Sequence, residues 1–206
     1  MGDNMEYRSV KMKIENGIDR ETRMLLSDFT ILYAIYDKKI YKPAKDSAKC
    51  LKTYRRYEKN NDDEEFNKRI YEKIYEENLK NNFEKSERLI ELYEDLITHL
   101  NDILNTENKN KISVYEYLDN LFSKQYDYQK IFEENFKKIK GNINTIEEKN
   151  KCKIINLLLV VYRIRNNTFH GSKSVKKIKT QYELINICCE VLSCLIGDLL
   201  DSSMQE

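Results

Sequence analysis

An all-α fold is what this sequence predicts, and three observations predict it. Only one proline, Pro43, and five glycines occur in 206 residues, so little interrupts regular structure. Apolar residues recur three and four apart along most of the chain, which is the spacing of one helix face. Alternating β-branched residues are scarce, and the sequence holds no βαβ pattern, internal repeat or glycine-rich phosphate loop. At 40% apolar and 34% charged residues the chain is polar, yet long enough to bury a core.

The elements follow in order. Val10, Met12 and Ile14 alternate, a pattern shared by a short strand and a mobile arm, and Asn16-Gly17 reads as a turn. A first helix is expected from Asp19 to about Lys39, with Leu25, Phe29, Leu32, Tyr33 and Tyr36 at helical spacing. Pro43 is expected to end it or to separate it from a second helix, about Ala44 to Glu58. Asn60 to Asp63 reads as a turn and helix start, continued by Phe66, Ile70, Ile74 and Leu79. Its DDEE run is read as a charged first turn rather than a metal site.

The most periodic segment is Glu84 to Leu104, where eight apolar residues from Leu89 to Leu104 form one stripe with His99 beside it. That histidine is read as a packed or surface residue. Ser113 and Glu116 fit a capping box before a helix with Tyr117, Leu118, Leu121 and Phe122. A further helix carries Tyr128, Ile131, Phe132, Phe136 and Ile139 and ends at Gly141. Thr145 and Glu148 form a second capping-box candidate. The helix after it, with Ile154 to Val161 and Ile164, is apolar nearly all round, so it should be the centre of a bundle or part of a dimer interface. The last helix is expected at about Lys179 to Asp201.

Composition narrows the function classes. The 15 tyrosines accompany abundant Lys, Asn and Ile, as AT-rich coding produces, so they are not read as base-stacking residues. Cys50, Cys152, Cys188, Cys189 and Cys194 show no CxxC spacing and read as free thiols in a reducing, cytoplasmic setting, with no structural zinc. No apolar run reaches the roughly 18 residues that span a bilayer, so no membrane partner is expected. Net charge is +1, but Lys151 to Lys179 holds eight bases and no acid. That segment is +8 and the remainder −7, a distribution that suits a polyanionic ligand.

Inside that segment lies RIRNNTFHGSK, Arg163 to Lys173. Histidine is the side chain best matched to proton transfer near neutral pH. Arginine offers a permanently charged fork for phosphate, and asparagine fixes the orientation of either. Together they suit transesterification at an RNA phosphodiester, with a base at the ribose 2′-hydroxyl and a cation on the phosphoryl oxygens. That chemistry needs no metal and no cofactor. On an ideal helix Arg165 and His170 point about 140° apart, so they converge only if the helix ends between them, as Gly171 allows, or if two copies meet. Arg163 and His170, seven apart, share a face.

Arg165-Asn166-x-x-x-His170, followed by Gly171 at the end of an apolar helix, resembles the R-x(4–6)-H motif of the HEPN (higher eukaryotes and prokaryotes nucleotide-binding) superfamily. The resemblance covers Glu84 to Asp201. Residues 84–206 are read as a HEPN-like bundle and 1–83 as an additional N-terminal helical extension. It implies a bundle of four or five helices, a homodimer with two motifs facing each other, and metal-independent endoribonuclease activity leaving a 2′,3′-cyclic phosphate. It also implies a role as a toxin or in antiviral defence, with an antitoxin or defence-system protein as partner. His170 would be the general base or acid, Arg165 the phosphoryl-binding group and Asn166 the residue orienting them. Arg163, Asn167, Lys173, Lys176 and Lys177 would contact RNA.

Two departures stand. Ser172 occupies the position where toxins silenced by nucleotide transfer carry a tyrosine, and no Rossmann-like sensor domain is present. Two other readings of the same residues are a non-catalytic helical module binding nucleic acid or protein, and an antitoxin or immunity protein.

Overall fold

The computed structural model describes residues 19–54, 62–106, 114, 118, 126–142, 145–169 and 181–203. In chain order these form α1 (Arg20–Tyr36), a π-helical turn (Asp37–Tyr41), α2 (Lys42–Tyr54), α3 (Asp62–Asn78), α4 (Phe83–Thr106), α5 (Tyr126–Lys140), α6 (Ile146–Phe169) and α7 (Tyr182–Ser203). No strand occurs among the described residues, and the all-α prediction holds. The alternating Val10–Ile14 stretch, the Ser113–Glu116 box, most of the helix expected after it and the stop at Gly171 lie outside the described residues.

Helix α1 starts where Asp19 accepts a hydrogen bond from the Thr22 amide (2.8 Å) and so satisfies one of the free donors of the first turn. Its buried stripe is Leu25, Phe29, Tyr33 and Tyr36. At Pro43 the chain does not leave the helical path. Proline has no N–H for the carbonyl four residues back, and its ring clashes with that carbonyl in a regular α-helix. The widened turn before it absorbs the conflict. The Lys42 amide bonds the Asp37 carbonyl five residues back, and Pro43 becomes the second residue of α2. The proline therefore separates two α-helical segments without breaking the helix.

Helix α6 is the central helix. Every residue from Ile154 to Val161 is buried, against α3, α4, α5 and α7. Its start is the capping box expected from sequence: Thr145 Oγ1 accepts from the Glu148 amide and Glu148 Oε2 accepts from the Thr145 amide, both at 3.1 Å. Asn156 interrupts the apolar run yet is fully buried. Its Oδ1 accepts from Asn135 of α5 (3.0 Å), and its side chain also hydrogen-bonds Tyr93 of α4. Around α6, α1 packs on α7, and α2 and α5 pack on α3.

One hydrophobic core runs from Leu25 to Ile196, so the helices before residue 84 and those after it bury their apolar faces together. Ion pairs join the helices at the surface: Lys68–Glu134 and Lys130–Glu64 between α3 and α5, both 2.8 Å, and Arg88–Glu190 between α4 and α7, 2.7 Å. The DDEE run forms the first turn of α3, where Glu64 faces Lys130 and Glu65 faces Arg69. His99 is half-buried on α4.

Cys152, Cys188 and Cys189 are buried free thiols, and Cys194 is half-buried. Burial pushes the Cys189 thiol up to about 12, with Asp28 and Glu190 adding to the effect. A raised pKa leaves little thiolate, the reactive form, at pH 8. Iodoacetamide at pH 8, followed by peptide mass spectrometry, is therefore expected to leave Cys188 and Cys189 unmodified in the folded protein and to label both in guanidinium. Comparable rates in the two conditions would contradict this packing.

Candidate functional site

The last turns of α6 carry the residues singled out by sequence. The helix runs without interruption through Arg163, Arg165, Asn166 and Asn167 to Phe169. His170, Lys173, Lys176 and Lys177 lie outside the described residues, as do Gly171 and Ser172. The structure therefore places the arginine–asparagine half of the motif.

Arg165 and Asn166 are brought together. Arg165 Nη1 donates to Asn166 Oδ1 at 3.0 Å. Neighbouring residues on a helix diverge by about 100°, so this bond requires the arginine to bend sideways along the helix surface. Asn166 is only 7% exposed, and its oxygen is thus a fixed acceptor. The guanidinium also lies over the ring of Tyr33 in α1, with Cζ 5.3 Å from the ring centroid, within the range of a cation–π contact. Arg163 is half-buried, and burial lowers its pKa, with Tyr162 acting in the opposite sense. Asn167 is half-buried beside Asn166.

Beneath these residues lies a cluster of tyrosines that sequence reasoning did not assign to the site. Tyr162 stacks on Tyr128 (centroids 4.9 Å apart) and on Tyr41 of the π turn (6.2 Å). Tyr41 contacts Tyr36 and Tyr71, and Tyr36 contacts Tyr33. The Tyr128 hydroxyl donates to Asn67 Oδ1 of α3 at 3.2 Å. Burial is the first cause that raises the pKa of Tyr33, Tyr36, Tyr41, Tyr71 and Tyr128, so these phenols stay protonated at neutral pH. Among the described residues, the Tyr71 hydroxyl is buried with no hydrogen-bond partner. The signal that could have found the cluster was present: Phe29, Tyr33 and Tyr36 were already on the buried stripe of α1.

The basic segment divides in three dimensions. Lys151 pairs with Glu76 of α3 (3.1 Å) and Lys153 with Glu94 of α4 (2.6 Å). They sit about 18 Å and about 15 Å along the helix from Arg163, given a rise of about 1.5 Å per residue. Those two charges are locally balanced by acids far away in sequence, so the local field at the end of α6 is smaller than the sequence count of +8 suggests. A groove of about 540 Å³ lies at the opposite end of α6, lined by Tyr75, Phe83, Ile90 and Ile146 among others. None of the described motif residues lines it.

Among the described residues, no three His, Cys, Asp or Glu side chains cluster closely enough to hold a metal ion. No described helix is long and apolar enough to cross a membrane. Comparison with known proteins finds no matching family model, no matching curated protein and no matching solved structure.

Proposed function

We propose that this chain is a metal-independent endoribonuclease of the HEPN type, acting as a homodimer in a toxin or antiviral-defence setting. One observation carries the reading: Arg165 and Asn166 are joined by a hydrogen bond in the last turns of a buried central helix, five and four residues before His170. An amide oxygen orients a guanidinium without itself neutralising it. His170 takes the proton from a ribose 2′-hydroxyl, the 2′-oxygen bonds to phosphorus, and the bond to the 5′-oxygen breaks as that oxygen takes up a proton. Arg165 stabilises the charge that grows on the phosphoryl oxygens. The product ends are a 2′,3′-cyclic phosphate and a 5′-hydroxyl. Arg163, Asn167, Lys173, Lys176 and Lys177 hold the RNA strand.

The test is cleavage of mixed single-stranded RNA by the purified protein in EDTA, compared with His170→Ala. The expected result is cutting by the first and at least a hundredfold less by the second. Equal cutting by both, or cutting by neither, rejects the reading. A second reading, a module that binds a protein partner without catalysis, is favoured by Met24 and Ile31. These lie seven residues apart on the outer side of α1 and are 56% and 55% exposed. Retained partner binding in His170→Ala together with no RNA cleavage by the wild type would establish that alternative.

A further inference from the structure

Building on the ribonuclease reading above, we infer that Tyr33 is a positioning residue for Arg165, setting the plane of its guanidinium through the face of the ring. Tyr33 comes from α1, whose sequence lies more than a hundred residues before the motif. Two features fix its ring: it is only 6% exposed, and it is flanked along α1 by Phe29 (6.3 Å, edge to face) and Tyr36 (5.8 Å, edge to face). A ring held in this way is a rigid surface. The Arg165 guanidinium carbon sits 5.3 Å from its centroid, while Nη1 is bonded to Asn166.

The two holds are complementary. A hydrogen bond to one nitrogen leaves the guanidinium able to rotate about that contact, and a flat ring against it removes much of the rotation. Asn166 and Tyr33 are both neutral, so neither of these two contacts offsets the charge of the cation that it orients. The phenol is unsuited to proton transfer here, because burial holds it protonated even though Arg165 favours the phenolate. The ring and not the hydroxyl is therefore the working part of Tyr33. A phosphodiester needs this kind of support, since the fork must meet two oxygens in one plane.

The experiment compares Tyr33→Phe, which keeps the ring face, with Tyr33→Leu, which removes it and keeps an apolar side chain. Cleavage kinetics, thermal unfolding and the proton shifts of the Arg165 side chain by NMR are read for each. Tyr33→Phe is expected to stay within about twofold of the wild type in kcat, and Tyr33→Leu to lose about tenfold, the scale of a partly buried cation–π contact. In the Arg165→Ala background Tyr33→Leu should cost nothing further, which separates positioning from a general structural role.

The ring-current shift of the Arg165 side chain should persist in Tyr33→Phe and vanish in Tyr33→Leu. Unchanged kcat in Tyr33→Leu, an equal loss in the Arg165→Ala background, or no ring-current shift in the wild type overturns the inference. A wild type that cuts no RNA but shows the shift rejects the ribonuclease reading and leaves the Tyr33–Arg165 pairing established.

Discussion

Arg165→Ala is expected to lower RNA cleavage by about 10²–10³-fold, the usual consequence of removing one group that stabilises developing oxyanion charge. The loss should fall mainly on kcat, because the charge on the phosphoryl oxygens is greatest in the transition state. Arg165→Lys should recover only a small part. Lysine keeps the charge but lacks the planar fork and cannot lie flat over Tyr33 while reaching Asn166. Folding should survive, since Arg165 is half-buried near the end of α6 and outside the apolar core. Single-turnover cleavage and a denaturation curve for each variant check both statements. A variant with wild-type kcat would remove Arg165 from the chemistry.

Asn156→Leu is expected to destabilise the protein by about 3 kcal/mol. The side chain is fully buried and serves two other helices, accepting from Asn135 and bonding Tyr93, which is itself buried. Leucine would leave both without their partner, and an unsatisfied buried polar group costs about 1–3 kcal/mol. The double variant Asn135→Leu with Asn156→Leu should be damaged less than the sum of the two single changes, because the unpaired amide on α5 is then gone. Urea unfolding of the three variants measures this directly. Strict additivity would show that the Asn135–Asn156 bond contributes nothing.

The sequence predicts local features well and cross-helix features poorly. The Thr145–Glu148 cap, the extent of α4 and the buried character of α6 all follow from spacing within a few turns, and each is found. Arg165 and Asn166 were adjacent in the chain, so their partnership was a local guess. Tyr33 was not, because its contact with Arg165 depends on how α1 lies against α6. The pairing of Lys151 with Glu76 and of Lys153 with Glu94 was hidden for the same reason. A charge count along the chain sees the bases but not the acids folded beside them. At Pro43, propensity argued for an interruption, and the chain instead widened its preceding turn.

That widened turn has a consequence for where the long N-terminal helix is weakest. A regular helix frays first at its ends, where the outer hydrogen bonds break most easily. In the stretch from Arg20 to Tyr54, a less favourable π-helical bonding pattern and an amide-free proline sit near the middle. Amide hydrogen exchange should accordingly show a protection minimum around Lys38 and Lys39, flanked by slower amides on both sides. The weakest point of this helix thus lies between Tyr36 and Tyr41, a few residues from the ring that Arg165 rests on.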